Sequence, residues 1–159
     1  MKFKQKKTPN MSDFGPDENR FIIKVCGMRE PENIRAVAAL PVDWMGFIFY
    51  EKSPRFVRRK PDVDFGTARP KRVGVFVNEK IPTVLARVSE YDLDAVQLHG
   101  DESPEYCASL RKVWPQIQIV KVFSVGPGFD FAQTALFEGV CDWFLFDTKG
   151  ENRGGNGRT

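Results

Sequence analysis

Six short apolar runs alternate with helix-like segments, and this alternation constrains the fold more than any other feature of the sequence. The runs are rich in β-branched and aromatic residues, as strands are: FIIKVC (21–26), DWMGFIFY (43–50), KRVGVFV (71–77), LDAVQLH (93–99), IQIVKVF (117–123) and DWFLFD (142–147). Strands that recur every roughly 20 to 25 residues with helices between them predict βαβ units and a parallel sheet. The runs lack a long polar–apolar alternation, as expected of strands buried on both faces.

The segments between the runs predict helices in four places. They are EPENIRAVAAL (30–40), IPTVLARVSEY (81–91), SPEYCASLRKVW (103–114) and FDFAQTALFEGV (129–140). The third begins most clearly, with Ser103 as N-cap and Pro104 at the first helical position. The segment after Tyr50 is interrupted by Pro61 and Pro70, which predicts an irregular connection there.

Two parallel architectures fit this pattern, an open doubly wound sheet and a (βα)8 barrel. The first βα turn reads CGMREPE and lacks GxGxxG, so the dinucleotide-binding version loses its main support. Each predicted strand ends on, or is directly followed by, a residue with a polar or reactive side chain: Cys26, Tyr50, Asn78, His99, Ser124 and Asp147. Because the carboxyl ends of parallel strands lie on one face, which carries the active site in barrels, this placement favours a parallel (βα)8 TIM barrel.

The cysteines and the single histidine limit the chemistry. Cys26, Cys107 and Cys141 have no CxxC spacing and cannot all pair, which indicates a reducing compartment and predicts a cytoplasmic protein. With one histidine and no Cys/His cluster, a structural zinc site is not expected. We therefore expect no metal in the site.

Charge and hydropathy exclude two classes of partner. The densest basic run, residues 58–60, is too short to indicate nucleic-acid binding. No run approaches the ~20 apolar residues that would span a bilayer, so no membrane partner is expected. Residues 1–20 are basic and then polar, lack the apolar core of a signal peptide, and predict a flexible N-terminal arm before a single domain over residues 21–159.

Several residues at the predicted strand ends could have a structural role instead of a functional one. Cys26 could be an inert small hydrophobe, Asp147 could cap the next turn, and His99 could bond its own loop. Arg55 could clamp a carboxylate or phosphate, although an isolated arginine is more often a surface residue. The GGNG loop over 154–157 leaves its backbone N–H groups accessible to an anion, but glycine clusters are mostly flexible loops.

Two lysines inside apolar strands, Lys24 and Lys121, indicate a polar layer within the barrel, because a buried lysine requires a partner. Period-two alternation puts Lys24 on the same side as Cys26. Lys24 is therefore a candidate source of positive potential beside that thiol.

Five motifs, taken in order, resemble the phosphoribosylanthranilate isomerase family of tryptophan biosynthesis. They are KVCG, GFIFYEKSPRFV, KRVGVFVN, DAVQLHGDE, and FDT followed by GGNG, and the resemblance covers residues 21–157. It implies a (βα)8 barrel and an isomerase that performs the Amadori rearrangement of N-(5-phosphoribosyl)anthranilate to 1-(2-carboxyphenylamino)-1-deoxyribulose 5-phosphate. It further implies no metal or organic cofactor, a small phosphorylated substrate, and a monomer or homodimer.

The resemblance also assigns residues to roles. Cys26 would be the general base and Asp147 the general acid, and the implied substrate-binding residues are Arg55, His99, Gly154 and Gly155. Arg55 matches the arginine that contacts the anthranilate moiety, and the two glycines match the loop near the substrate phosphate. Such an acid–base pair requires a carboxyl that retains its proton and a thiol that gives its proton up near neutral pH.

The length of the sequence raises a separate expectation. A family member continues through two further strands, so about six of the eight βα units are expected here, as an incomplete barrel over residues 21–159. Six strands cannot close an eight-stranded barrel, which predicts exposed strand edges and little turnover unless another chain supplies the missing strands. The alternative hypothesis is a truncated, inactive barrel relative that binds a phosphorylated metabolite or a partner chain. A decarboxylating cyclase of the indole-glycerol-phosphate synthase type is less favoured, because it would require catalytic lysines and a glutamate at the strand ends.

Overall fold

The structure, a computed structural model, describes residues 21–64 and 70–148, in which six strands form one parallel sheet. The strands are β1 (Lys24–Cys26), β2 (Trp44–Ile48), β3 (Lys71–Phe76), β4 (Ala95–Leu98), β5 (Gln118–Val125) and β6 (Trp143–Thr148). Their order in the sheet is their order in the chain, and every neighbouring pair is parallel. A doubly wound sheet reverses its order at a switch point, whereas a barrel adds each strand on the same side, so the barrel prediction is confirmed.

The sheet is strongly curled. The rings of Trp44 on β2 and Trp143 on β6 meet edge to face with their centroids 5.5 Å apart, although three strands lie between them in the sheet. In a flat sheet, four strand spacings of about 4.8 Å would separate them by roughly 19 Å. The contact is therefore possible only because the sheet bends around its own interior, as the wall of a barrel does.

Two apolar clusters lie on the two faces of the curled sheet. The inner one consists of Trp44, Val73, Ala95 and Val120, with Trp143 and Leu145 packed against it. The outer one is larger and lies between the strands and the helices; its fully buried members include Ile34, Met45, Phe76, Val84, Leu98, Leu110 and Ile119. Because side chains alternate along a strand, neighbours such as Ile119 and Val120 serve opposite clusters.

Three α-helices form where the sequence predicts them. They are α1 (Pro31–Ala38), α2 (Ile81–Tyr91) and α3 (Pro104–Val113). Ser103 caps α3 by accepting a hydrogen bond from the Tyr106 N–H at 3.3 Å. Asp92 ends α2 in the left-handed region, with φ of 50°, and its N–H donates to the Val88 carbonyl. Among the described residues, no helix is long and apolar enough to cross a membrane.

The fourth predicted helix is instead a 3₁₀ helix, Phe131–Phe137. The side chain of Asp130 caps it by accepting from the Ala132 N–H at 2.9 Å. Phe131 and Phe137 are six residues apart, which is two turns of a 3₁₀ helix, so both rings lie on one side. Phe137 packs edge to face on Phe123 of β5, and Phe131 contacts Phe146 of β6. The 3₁₀ helix thus packs its aromatic rings against the last two strands, β5 and β6.

The two outermost strands present apolar side chains to solvent. Phe21, at the start of the segment that leads into β1, is 89% exposed, and Phe146 on β6 is 47% exposed. These strands lie at the two ends of the described sheet and have a neighbour on one side only within it. Unpaired backbone groups beside apolar side chains are a template for pairing with further strands. The predicted arm over residues 1–20 lies outside the described residues.

Lys121 does not belong to an interior polar layer, contrary to the sequence-based prediction. It shares the outer face of β5 with Ile119 and Phe123, and its Nζ donates to Glu102 Oε2 at 2.9 Å and to the Gly100 carbonyl at 2.8 Å. The two side chains of this ion pair are only 4% and 1% exposed. Lys121 points outward because side chains alternate along β5 and its direct neighbours, Val120 and Val122, point inward.

The Glu102 carboxylate completes its hydrogen bonding with backbone groups. It accepts from the Asn78 N–H at 2.8 Å and from the Gly100 N–H at 2.9 Å. One buried carboxylate therefore connects the segment after β3, the segment after β4 and, through Lys121, strand β5. A buried charge pair of this kind is stable only while both partners are present.

Replacing Lys121 with methionine tests this arrangement. Lys121→Met leaves the Glu102 carboxylate buried without its cation, and we expect the free energy of unfolding to fall by about 3 kcal/mol in urea denaturation. The matched control is Lys112→Met on the exposed side of α3, for which a change within about 0.5 kcal/mol is expected. Equal stability of the two variants would contradict a structural role for the buried pair.

Candidate active site

A cavity of about 280 Å³ opens at the carboxyl ends of the strands. Its polar lining comes from Lys24, Cys26, Tyr50, Ser53, Arg55, Gln97 and His99, and its apolar lining from Ile48, Val75, Val77 and Leu145. The lining thus combines contributions from β1, β2, β3, β4 and β6 or the loops that follow them. A concavity that combines apolar walls with convergent polar groups is typical of a small-molecule site.

Cys26 enters the cavity through a gap left by a glycine. It is the last residue of β1 and pairs in register with Gly46 on β2. A Cβ atom at position 46 would lie 2.5 Å from the Cys26 Sγ, much closer than atoms can approach. The absence of a side chain at Gly46 therefore provides the space that the thiol occupies.

Arg55 reaches the same place from the loop after β2. Its Nη1 donates to the Cys26 carbonyl at 3.2 Å, and its backbone N–H donates to Ser53 Oγ at 3.2 Å. The guanidinium stem lies over Gly27, which has φ of +94° and where a Cβ would come within 2.7 Å of the Arg55 Cδ. A glycine is required at position 27 both for its backbone conformation and for the passage of the arginine.

A series of polar contacts runs from β1, through residues that line the cavity, to Asp147 on β6. Lys24 Nζ donates to Gln97 Oε1 at 2.5 Å, and Gln97 Nε2 lies 3.3 Å from His99 Nδ1. His99 Nε2 in turn lies 3.4 Å from Asp147 Oδ2. Gln97 and His99 are two residues apart at the end of β4, so they point to the same face. The His99 side chain is 11% exposed and that of Asp147 is 31% exposed.

Burial lowers the pKa of His99 below its ordinary value. The Asp147 carboxylate acts in the opposite direction, and the Lys24 ammonium acts in the same direction as burial. The imidazole is thereby kept neutral over a wider pH range than an exposed histidine.

Of the six residues that the resemblance assigns to the site, the structure brings three, Cys26, Arg55 and His99, to one cavity. Lys24 and Tyr50, which the sequence also singled out, line the same cavity. Asp147 is held beside His99 and does not itself line the cavity. Gly154 and Gly155 lie outside the described residues. Within the described ranges, no three His, Cys, Asp or Glu side chains are grouped so that they could hold a metal ion.

Sequence reasoning missed two residues of the site, Gln97 and Gly46. Gln97 is 4% exposed, and its position two residues before His99 in AVQLH is a signal that alternation could have used. Gly46 stands in the interior of an apolar strand, where a glycine often marks the close approach of another group. Together the residues supply a thiol, a carboxyl group, a neutral imidazole and two cations, which suits acid–base chemistry on an anionic molecule.

Comparison with known proteins identifies the family. The sequence model of N-(5′-phosphoribosyl)anthranilate (PRA) isomerase matches residues 23–159. The N-(5′-phosphoribosyl)anthranilate isomerase of Parabacteroides distasonis is 51% identical over 141 residues, which is 86% of this chain and 63% of that protein. The isomerase of Phocaeicola vulgatus is 46% identical over 138 residues, 87% of this chain and 65% of that protein. The chain thus spans slightly less than two thirds of the length of these relatives.

Solved structures agree with this result. The phosphoribosyl anthranilate isomerase of Thermotoga maritima is 30% identical with a TM-score of 0.66, over 87% of this chain and 67% of that one. A second isomerase structure, solved in complex with reduced 1-(o-carboxyphenylamino)-1-deoxyribulose 5-phosphate, is 28% identical with a TM-score of 0.63, over 82% of this chain and 66% of that one. Sequence, strand order and the residues at the rim therefore lead to one conclusion: the chain belongs to the N-(5′-phosphoribosyl)anthranilate isomerase family, whose fold is the (βα)8 barrel.

Proposed function

We propose that this protein catalyses the Amadori rearrangement of N-(5-phosphoribosyl)anthranilate in tryptophan biosynthesis. The observation that carries the proposal is the cavity at the strand ends, where the Cys26 thiol lies on β1 and Asp147 stands on β6 behind His99. Family membership supplies the identity of the reaction. The product is 1-(2-carboxyphenylamino)-1-deoxyribulose 5-phosphate.

In the proposed mechanism Asp147 is the general acid and Cys26 the general base. Asp147 donates its proton to the furanose ring oxygen, the bond from C1 to that oxygen breaks, and the nitrogen lone pair forms an iminium at C1. The Cys26 thiolate then removes the proton from C2, and the electron pair of that bond neutralises the iminium to give an enolamine. Tautomerisation of the enolamine yields the ketone. A positioned acid and base typically contribute factors of about 10²–10⁴ each to such proton transfers.

Substrate recognition is proposed to rest on the cations at the rim. The Arg55 guanidinium offers two parallel N–H donors, a geometry that suits the carboxylate of the anthranilate ring. His99 lines the same cavity and would contact the bound substrate. Gly154 and Gly155 would receive the phosphate through their backbone N–H groups.

The proposed partner is a small phosphorylated molecule, and neither nucleic acid nor a membrane is proposed as a partner. One related structure is described as monomers generated from the dimeric isomerase of Thermotoga maritima, which supports a monomer or a homodimer for this protein. We place the protein in the cytoplasm on the basis of its three free thiols, all of which lie in the described part of the chain.

Removing either proposed proton-transfer group tests the mechanism. We expect Cys26→Ala and Asp147→Asn each to lower kcat for phosphoribosylanthranilate by about 10²-fold or more, while the reduced product analogue still binds. The matched thiol control is Cys141→Ala, which lies outside the cavity lining and should retain turnover. Unchanged turnover in both site variants would refute the assignment. An unmodified protein that binds the analogue and shows no turnover would favour a non-catalytic relative.

Arginine 55 can be tested separately through substrate affinity. We expect Arg55→Met to raise KM about tenfold or more, because charge-assisted hydrogen bonds contribute about 1.5–3 kcal/mol each. Arg55→Lys should recover only part of this loss, since an ammonium cannot form the two parallel bonds. The control is Arg58→Met, which removes an exposed cation from the same loop. An equal KM for all three variants would show that Arg55 does not contact the substrate.

A further inference from the structure

The contacts that join Lys24, Gln97, His99 and Asp147 form a directed series. We propose that Lys24 and Gln97 are positioning residues that fix His99 as the neutral tautomer with its proton on Nε2, directed at Asp147. The tautomer is a property of the chain alone. Its catalytic consequence rests on the proposed function, in which Asp147 is the acid.

The direction of the series begins at Lys24. An ammonium group has donors and no acceptor, so the Gln97 amide must turn its oxygen toward Lys24. The observed contact, Lys24 Nζ to Gln97 Oε1 at 2.5 Å, has this orientation. The amide NH₂ is then directed away from Lys24, toward His99. Lys24 therefore determines which end of the Gln97 side chain the histidine meets.

The amide in turn determines the tautomer of His99. Gln97 Nε2 lies 3.3 Å from His99 Nδ1, and the NH₂ group can only donate. Nδ1 must accept, so the proton of the neutral ring is on Nε2. That nitrogen lies 3.4 Å from Asp147 Oδ2, a distance that can shorten when a ligand is bound. Oδ2 therefore serves as an acceptor, and a proton on the carboxyl group resides on Oδ1.

The same series opposes protonation of the ring. An imidazolium would place an Nδ1–H against the Gln97 NH₂, and turning the amide over would place its NH₂ against the Lys24 ammonium. Burial and Lys24 both act to lower the pKa of His99, while Asp147 and Glu102 act to raise it. Besides His99 and Lys24, the ionisable side chains that line the cavity are those of Cys26, Tyr50 and Arg55.

A neutral ring matters for the proposed acid. An imidazolium beside Asp147 would form an ion pair and hold the side chain as a carboxylate, which has no proton to donate. A neutral Nε2–H orients the carboxyl group without adding a positive charge. Lys24 and Gln97, which would not transfer a proton themselves, thus maintain the state in which Asp147 can act.

The chain offers an unusually direct test, because its 159 residues contain a single histidine. Protein labelled with ¹⁵N-histidine and carrying no histidine tag gives one pair of ring-nitrogen resonances. We expect Nδ1 to resonate as an unprotonated acceptor and Nε2 as a protonated nitrogen at pH 7.5. The midpoint of the pH titration should lie below the ordinary value of about 6.5. A proton on Nδ1, or equal populations of the two tautomers, would overturn the proposal.

Two substitutions of Gln97 with side chains of similar size extend the test. Gln97→Glu replaces the donor with a carboxylate, so Nδ1 should acquire a proton and the titration midpoint should rise by about one pH unit or more. Gln97→Met removes the donor and should populate both tautomers. The matched control is Gln118→Glu, since Gln118 also accepts from a lysine, Lys71, at 3.2 Å and lies outside the cavity lining. An unchanged spectrum in both Gln97 variants would contradict the proposal.

Turnover measurements separate this inference from the proposed function. If the unmodified protein isomerises phosphoribosylanthranilate, Gln97→Glu should lower kcat about tenfold or more with a smaller change in KM, because the acid and not the binding contacts is affected. Turnover by a protein whose Nδ1 carries the proton would refute the positioning role and leave the proposed function intact. The expected tautomer in a protein without turnover would support the positioning role and refute the proposed function.

Discussion

The edge-to-face contact between Trp44 and Trp143 shows how tightly the sheet is curled, and the geometry of the rim depends on that curl. Lys24 on β1 and Gln97 on β4 are separated by two intervening strands, yet their side chains share a hydrogen bond across the interior. In a flat sheet these groups would lie about 14 Å apart along the hydrogen-bonding direction. Curvature thus converts residues that are distant in sequence and in sheet order into neighbours around one cavity.

The two strand lysines show what the same residue type does on opposite faces. Lys24 faces the interior, where its ammonium group lines the cavity and donates to the Gln97 amide oxygen. Lys121 faces the helices and is paired with Glu102 in a nearly dry environment. The first arrangement leaves an ammonium beside a site for anionic molecules, and the second connects the loops after β3 and β4 to strand β5. Lys24 therefore belongs to the candidate site and Lys121 to the stability of the fold, because their side chains point to opposite faces of the sheet.

Much of the fold follows from the sequence because strand and helix signals agree with each other. The predicted helix at 81–91 has the same bounds in the structure, and the prolines after Tyr50 indicate the irregular connection found in its described part. The 3₁₀ winding of Phe131–Phe137 was not predicted, and the contacts of its rings with strands β5 and β6 are not visible in the local sequence. In the site, the residues at strand ends were predictable from topology. Alternation could place Gln97 on the same face as His99, but its hydrogen bond with Lys24, 73 residues away along the chain, could not be predicted.

Position 46 requires a glycine because of a neighbouring protein atom and not because of a ligand. The backbone there is that of an ordinary strand, so alanine would be compatible with the local conformation, and the obstacle to a side chain is the sulfur atom on the adjacent strand. The substitutions that position 46 tolerates are therefore set by the thiol at position 26. If substitutions were scored by turnover, those at Gly46, which contributes no atoms to the reaction, would be grouped with those at residues that do. If they were scored by folding alone, the two groups would separate.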